Sequence, residues 1–237
     1  MSLLTPVAAD IWIIEGGIVN FYGFPYPTRS VLVRLPDGAL WVWSPVALSP
    51  ALRAEVETLG TPAHLVSPNR IHHLYLQDWK TAFPGARLWG PLSTIRKRCD
   101  LSFEPPLEET SPAAWQGAFD QVWFRGSRLL DEIVFLHRAS RTVIIADMSE
   151  NFSDRFLRAH WSGWKRVVAR LWGIVEGKGY APLELRLTSF ARASLRASRD
   201  RMLAWDPRRV IMAHGEWQRQ DGRRYLERAF AWIGGPG

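Results

Sequence analysis

The sequence predicts a four-layer α/β fold, an αββα sandwich in which two β-sheets pack face to face and helices cover the outer faces. Strand and turn signals cluster at the start, and strands then alternate with helical patterns. Further strands fill the middle of the chain, and helices with one last strand follow. The 237 residues are 47% hydrophobic and include 13 tryptophans, enough for a sizeable core. We therefore expect a single domain over residues 1–237.

The first segments are of the β type. Strands are predicted at 9–16, 30–36 and 39–44, where β-branched and aromatic residues are concentrated. Asp37-Gly38 is a strong hairpin signal, so the last two of these strands should pair. Residues 17–28 contain Gly and Pro among aromatic residues and are expected to form a loop.

Helices and strands alternate next. Ser49 and Pro50 suit the N-cap and first turn of a helix at 50–59, which Gly60 ends. A buried strand at 63–67 and a helix at 71–82 follow, and Phe83-Pro84-Gly85 breaks that helix. The remaining pattern predicts a strand at 86–90 and a Pro-rich connection at 91–117 with one short helix.

The second half contains the other sheet. Strands are predicted at 119–125, 132–137, 141–147 and 209–214, and helices at 153–175, 189–204 and 220–233. Alternation along the second of these strands places His137 with Ile133 and Phe135, which favours a structural histidine. Glu132 falls on the opposite face and, if buried, would need a cationic or metal partner.

Several classes of protein are excluded or disfavoured by composition. Cys99 is the single cysteine, so an intramolecular disulfide and a cysteine-based zinc cluster are excluded. No apolar run reaches the ~18 residues of a membrane-spanning helix. The first residues lack the basic and apolar regions of a signal peptide, so we expect a cytoplasmic protein.

Positive charge is concentrated late in the chain. Residues 151–237 carry 17 Lys or Arg against 8 Asp or Glu, whereas residues 1–150 carry 13 against 15. Residues 155–172 mix cations with three tryptophans at helical spacing, which favours a helix that covers a sheet with its cations in water. Two alternatives are contact with anionic lipid and contact with nucleic acid, and we expect no nucleic acid. The basic excess would attract a small anionic substrate.

Three metal-competent sites stand where a predicted strand has just ended. His72-His73 follow the strand at 63–67, Asp147 ends another strand, and His214 ends the last. Each alone is commonly structural, as a packing histidine, a helix N-cap or a turn residue. Strand ends of layered α/β folds converge on one rim, however, and imidazole with carboxylate suits zinc, iron or manganese.

This order of motifs resembles the metallo-β-lactamase superfamily, whose signature is His-x-His-x-Asp-His after a strand, then a distant His, a strand-ending Asp and a final His. The resemblance covers roughly residues 9–233. It rests on three segments, SPNRIHHLYLQDWKTAFPGARLWGP, EIVFLHRASRTVIIADM and VIMAHGE. A branch described only as a domain of unknown function is more similar still. The matching residues are Ser67-Pro68-Asn69, His72-His73, Asp131-Glu132, His137-Arg138, Ser140-Arg141-Thr142, Trp205-Asp206 and His214-Gly215.

The signature is degenerate in this chain. Ser67 and Asn69 occupy the first two His positions, Ile71 replaces the Asp, and no His stands near Gly126-Ser127, where the distant ligand is expected. The last signature His, the bridging Asp and the final His are matched by His72, Asp147 and His214. The resemblance therefore implies one metal site rather than two, with these three residues as ligands.

Three ligands and a water are the usual open arrangement of catalytic zinc. By resemblance, the chain is expected to be a metal-dependent hydrolase with one zinc, iron or manganese ion that acts on an ester, thioester or phosphoester. His73 or Glu132 would add a ligand or general base, and Asn69 would polarise a carbonyl oxygen. Alternatively, Ser67 and Asn69 cap the helix that carries His72, or the chain is an inactive module with a binding or structural role.

Overall fold

Residues 2–234 are described by the structure, a computed structural model, and their strands form two sheets. The first sheet has six strands in sequence order. They are β1 (Leu4–Ala8), β2 (Ile11–Phe21), β3 (Phe24–Arg34), β4 (Leu40–Trp43), β5 (Pro62–Val66) and β6 (Arg87–Trp89). Pairing is antiparallel from β1 to β4 and parallel from β4 to β6. The parallel pairs are reached by helical crossovers, so the ends of β4 and β5 lie on the same edge.

The second sheet has four strands, in the order β10-β9-β8-β7. They are β7 (Phe119–Phe124), β8 (Glu132–His137), β9 (Thr142–Ile145) and β10 (Arg209–Met212). The last strand pairs with β9 in parallel, whereas the other neighbours are antiparallel. Asp147 and His214 each lie two residues beyond these parallel strands, so the topology brings them together.

Eight helices and a short 3-10 turn occupy the described residues. The helices are α1 (Pro50–Leu59), α2 (Leu76–Ala82), α3 (Leu92–Lys97), α4 (Asp154–His160), α5 (Gly163–Trp172), α6 (Leu183–Leu187), α7 (Arg192–Ala204) and α8 (Gly222–Ala229), and the 3-10 turn is Ala231–Ile233. Within the described residues, no helix combines the length and apolar character needed to cross a bilayer.

Three apolar layers form most of the core, and a smaller fourth cluster packs α4 and α5 against the β2–β3 hairpin. The middle layer joins the two sheets and includes Trp41, Phe135 and Ile144. One outer layer packs α1 and α2 on the first sheet, and the other packs α7 and α8 on the second. Alternate residues of each strand therefore face opposite layers, as Val134 and Phe135 do. The predicted four-layer αββα sandwich is confirmed.

The predicted loop at 17–28 is wrong, because these residues extend β2 and β3 into a long hairpin. Pairing continues to Phe21 and Phe24. Two prolines are tolerated in β3 because β4 pairs only with Val31–Arg34, which leaves one side of the outer part of β3 without a strand neighbour. The strand β1 was not predicted at all.

The predicted helix at 71–82 begins only at Leu76. The Asn69 side-chain oxygen accepts hydrogen bonds from the backbone N–H groups of Ile71 and His72, so a polar turn takes the place of the first helical turn. The predicted helix at 153–175 is two helices, because Trp161 is extended and its indole N–H donates to the Pro25 carbonyl oxygen. The short helix α6 was also missed.

Candidate metal centre

His72, Asp147 and His214 converge at one end of the two sheets. His72 Nε2 lies 3.1 Å from Asp147 Oδ2, and His214 Nε2 lies 3.4 Å from Asp147 Oδ1. One ligand atom from each residue can be chosen so that all three lie within 4.8 Å of one another. Residues separated by up to 142 positions therefore share one pocket, as the strand-end argument predicts.

Both imidazoles are held through the nitrogen that faces away from Asp147. Ser44 Oγ lies 2.7 Å from His72 Nδ1, and the Trp43 ring lies nearly parallel to the His72 ring, with centroids 5.9 Å apart. His214 Nδ1 lies 2.8 Å from the Pro27 carbonyl oxygen, and the Tyr26 ring meets the His214 ring edge-on. In each ring Nε2 is thus the atom presented to a ligand.

The contact between His214 and Asp147 requires a positive charge. A carbonyl oxygen can only accept a hydrogen bond, so His214 Nδ1 carries a proton and donates a hydrogen bond to the Pro27 carbonyl oxygen. In a neutral ring, Nε2 then has a lone pair that faces the carboxylate oxygen of Asp147 at 3.4 Å. Two acceptors at this distance are stabilised only by a cation between them, which is either a proton on Nε2 or a metal ion.

Asp147 is positioned by a buried polar network behind it. The Asn69 side-chain nitrogen donates to Asp147 Oδ2 at 2.7 Å and to Glu132 Oε2 at 3.1 Å. Glu132 also accepts from the backbone N–H groups of Ala146 and Asp147, at 2.6 and 2.8 Å. All three polar side chains are almost completely buried. The network uses both amide hydrogens of Asn69 and leaves Asp147 Oδ1 as the more available ligand atom.

The pocket shifts the pKa values of its neighbouring carboxyl groups in opposite directions. Burial would raise the pKa of Asp147, but the charge of His72 and hydrogen bonds from both imidazoles hold it well below its usual range. Burial and the Asp147 charge raise the pKa of Glu132 to about 7. Burial would lower the pKa of His72, yet Asp147 raises it above the usual value. Asp147 is therefore the anionic ligand of the group.

The geometry of the triad fits a small divalent ion. Metal–ligand bonds of ~2.0–2.1 Å in a tetrahedral zinc site separate ligand atoms by roughly 3.3 Å. The separation of 3.1 Å from His72 to Asp147 Oδ2 and that of 3.4 Å from His214 to Asp147 Oδ1 lie on either side of this value. One ligand atom from each of the three residues can be chosen with every separation within 4.8 Å. Two imidazoles and a carboxylate are also the donor set that zinc, iron and manganese share. The residues present therefore fit the group that the sequence implies.

A cavity of about 980 Å³ opens over the triad and is lined by all three of its residues. Apolar side chains of the β2–β3 hairpin and of residues 129–130 form much of its wall, and Arg96 and Lys97 contribute cations. Glu150 also lines the cavity, and Tyr26 donates to its Oε2 at 3.2 Å. Burial and the charges of Asp147 and Glu184 raise the pKa of Glu150 well above its usual range, which favours the neutral form of its carboxyl group at the cavity wall.

The other predicted site residues do not line this cavity. Asn69 and Glu132 lie behind Asp147, in contact with the triad but shielded from the opening. The expectation that a buried Glu132 needs a cation or metal is wrong, because backbone and amide N–H groups are the donors it contacts. His73 turns away, with Nδ1 3.3 Å from an Arg98 nitrogen, and burial beside Lys97 and Arg98 lowers its pKa to about 4.

Sequence reasoning missed four residues that build the site. Ser44 and Tyr26 contact the imidazoles, but they come from the first sheet and are distant from every motif. Glu150 follows Asp147 by three residues, and this closeness in sequence could have marked it as a site residue. Buried Arg29 donates to the carbonyl oxygens of Met212 and Gly215, at 2.7 and 2.8 Å, and so fastens the His214 segment to β3.

Solved metallo-β-lactamases share this fold over almost the whole chain. One is an enzyme from Erythrobacter litoralis with β-mercaptoethanol in its active site, which is 14% identical, with a TM-score of 0.64 over 97% of this chain and 95% of that one. An enzyme from Pontibacter korlensis is 11% identical, with a TM-score of 0.63 over 97% of each chain. The enzyme FIM-1 from Pseudomonas aeruginosa, in a mono-zinc form, is 11% identical, with a TM-score of 0.63 over 97% of this chain and 93% of that one.

The chain therefore has a metallo-β-lactamase-like fold with a candidate His/Asp/His metal site. No protein-family model matches the sequence, and no curated protein matches it significantly. At identities this low the likeness establishes the fold alone, so the chemistry must be argued from the site.

Proposed function

We propose that this protein is a metal-dependent hydrolase with a single-ion site formed by His72, Asp147 and His214. The observation that carries the proposal is the pair of acceptors formed by His214 Nε2 and Asp147 Oδ1, 3.4 Å apart at the floor of a large cavity. A divalent ion between them would satisfy both atoms and His72 Nε2 together. The mono-zinc form of FIM-1, which has the same fold, makes zinc the first choice, with iron and manganese as alternatives.

When bound, such an ion supplies a Lewis acid that activates water near neutral pH. The protein's own residues then set the geometry. Ser44 and Pro27 orient the two imidazoles, and Asn69 and Glu132 hold the Asp147 carboxylate in place. Asn69 and Glu132 are thus positioning residues, because neither lines the cavity. We assign no step to His73.

Glu150 completes the proposed chemistry. Its carboxyl group lines the cavity, and burial raises its pKa, which favours the neutral form. A proton held there can be given to the oxygen of a leaving group. An ester or phosphoester with an alkoxide leaving group gains most from such a donor, whereas the thiolate of a thioester can leave without one. The cations Arg96 and Lys97 in the cavity wall favour an anionic substrate.

Metal content tests the proposal directly. Protein purified without chelator should contain one zinc, iron or manganese ion per chain by mass spectrometry, and His214→Ala and Asp147→Ala should lose it. The exposed His160, which is outside the site, provides the matched control His160→Ala. Turnover of p-nitrophenyl esters, a thioester and a phosphodiester should follow the metal content.

One observation favours a second candidate, an inactive module that kept the fold. Asp147 accepts contacts from Asn69, His72 and His214 at once, so a protonated triad is already a satisfied network. Under this alternative, zinc, iron and manganese would show no binding in calorimetric titrations and would not raise the melting temperature. That result would replace the hydrolase proposal.

A further inference from the structure

Exposed apolar side chains are concentrated around the mouth of the cavity. Six segments contribute to its lining, and we call them the mouth segments: 18–28, 70–75, 92–98, 125–131, 163–172 and 183–190. Among the described residues, twelve large hydrophobic side chains are exposed, and eleven of them lie on these segments. Leu3 is the exception. Four of the eleven line the cavity itself, namely Phe21, Tyr22, Leu74 and Leu129. We call the eleven side chains the rim. Single exposed hydrophobics are ordinary, but this many on segments that reach one opening mark a binding surface.

The helix α5 presents the clearest apolar face of the rim. Trp164, Val167 and Leu171 are spaced along one side of the helix, and Trp164 and Leu171 are 62% and 75% exposed. Tyr22, at the tip of the β2–β3 hairpin, is 90% exposed. These side chains project into solvent although the core of the protein is well filled.

Direct contacts join two pairs of mouth segments. The Phe24 ring lies 5.7 Å from the Trp164 ring, and Lys165 Nζ lies 5.1 Å from the Phe24 centroid, which joins α5 to the hairpin. Arg128 stacks over Phe190 at 5.1 Å, which joins the loop after β7 to the residues after α6. The rim side chains Trp164 and Phe190 are therefore each packed against a neighbouring mouth segment rather than exposed singly.

The same segments carry the positive charge of the protein. The mouth segments contain ten Lys or Arg and two Asp or Glu, a net charge of +8. The rest of the chain contains twenty Lys or Arg and twenty-one Asp or Glu, a net charge of −1. The net charge of +7 thus arises from the surface that surrounds the cavity, which selects a negatively charged partner.

We propose that the mouth segments rest on the surface of an anionic lipid bilayer, with the rim side chains inserted among the lipids. Aliphatic and aromatic side chains beside Lys and Arg are the combination that interfacial helices use at anionic membranes. The cavity then opens toward the lipid. The surface is complete without an ion, so this proposal holds whether or not the triad hydrolyses a substrate.

Two other occupants fit less well. A nucleic acid would use the cations and could stack on Trp164, but Val167, Leu171 and Leu187 offer no planar face to a base. A second copy of the chain, bound symmetrically through this face, would place the two sets of cations against each other. An anionic bilayer satisfies both the apolar and the charged groups.

Flotation with lipid vesicles tests the proposal on the full chain. Wild-type protein should bind vesicles made of equal parts of phosphatidylcholine and phosphatidylglycerol and bind pure phosphatidylcholine far more weakly. Leu171→Ser and Trp164→Ser should each weaken binding to the anionic vesicles roughly tenfold. Charge reversal at Arg96 and Lys97 together should weaken it more than tenfold.

Matched controls come from exposed residues outside the mouth segments. Leu3→Ser removes an exposed leucine outside the rim, and Arg224→Glu reverses an exposed cation on α8, so both should bind like wild type. Circular dichroism confirms that each variant is folded. The proposal is overturned if wild-type protein ignores anionic vesicles, or if the control variants lose as much binding as the rim variants. Tighter binding to single-stranded polynucleotide than to vesicles, or a stable dimer that Leu171→Ser dissociates, would also overturn it.

Discussion

The side-chain nitrogen of Asn69 donates to Asp147 Oδ2 at 2.7 Å, so an uncharged amide holds the central carboxylate of the triad from behind. Its other hydrogen is donated to Glu132. An amide nitrogen does not bind metal, so Asn69 acts on the candidate site through hydrogen bonds alone. The two contacts hold the buried Asp147 and Glu132 carboxyl groups next to each other.

Replacement of Asn69 by alanine should weaken metal binding by roughly tenfold, because Asp147 loses the group that orients it. It should also lower the free energy of unfolding by about 2 kcal/mol, because the buried Asp147 and Glu132 each lose a donor. Calorimetry with zinc and urea denaturation measure the two effects. Gln77→Ala, which removes an exposed amide, is the control. Wild-type affinity in Asn69→Ala would show that Asn69 does not position the ligand.

Ser44→Ala should reduce zinc affinity by roughly 10–100-fold with little change in stability, because Ser44 fixes the ring that presents His72 Nε2. The comparison variant is Ser162→Ala, which removes a serine that makes no capping hydrogen bond at the start of α5. Competition with a chromophoric chelator gives both affinities. Equal affinities in the two variants would remove Ser44 from the site.

Gly215→Ala should destabilise the protein by at least about 2 kcal/mol and displace His214. Its φ of +93° is unfavourable for alanine, and a Cβ atom would lie 2.2 Å from the Asn151 carbonyl oxygen. Gly177 has a φ of +88° with open space around it, so Gly177→Ala isolates the backbone strain from the clash. Thermal denaturation and metal content distinguish them. A similar loss in both variants would mean that the close packing at Gly215 is unimportant.

His64 predicts a pH-dependent stability. It is buried and accepts a hydrogen bond from the Trp89 indole at 3.1 Å, and burial beside Arg87 lowers its pKa from 6.5 to about 4. The folded state therefore binds the proton less tightly than the unfolded state. Stability from this group is complete above pH 6.5 and is lost as the pH falls toward 4, by roughly 3 kcal/mol in full.

Urea denaturation at several pH values measures this loss. His64→Asn should show a smaller decrease in unfolding free energy between pH 6.5 and 4 than wild type, whereas exposed His160→Asn should follow wild type. Parallel curves for wild type and His64→Asn would contradict the prediction.

Under the proposed hydrolase function, Glu150→Gln should lower kcat by about 10²–10⁴-fold on an ester or phosphoester with an alkoxide leaving group, because an amide cannot transfer a proton to that group. Metal content should be unchanged, since Glu150 is not one of the three ligands. Glu176→Gln, on the exposed surface, controls for loss of a carboxylate. Unchanged kcat in Glu150→Gln would assign the proton to another group.

Much of the fold could be predicted because local rules agreed with the tertiary structure. Ser49 does cap α1, and Asp37-Gly38 does turn between β3 and β4. The long β2–β3 hairpin could not, since its Pro and Gly residues read as a loop and only the missing β4 neighbour makes them acceptable. Whether residues 1–237 form one domain stays a prediction.

The triad could be predicted because strand ends are readable and His and Asp are chemically distinctive. The groups that support it could not. Ser44 and Tyr26 are ordinary residues in sequence, and Pro27 contributes only a carbonyl oxygen. Their roles depend on how the two sheets meet. The position of Glu132 behind Asp147 also cannot be predicted from sequence, because the sequence does not show which backbone N–H groups a buried carboxylate will contact.

His214 is held by Pro27, which precedes it by 187 residues, and it follows β10, the last strand of the second sheet in sequence. During synthesis, the strands of the first sheet therefore leave the ribosome while the pocket still lacks one imidazole. The proposed three-ligand site can form only after residue 214 has emerged. Nascent chains stalled before residue 214 should therefore not retain an ion.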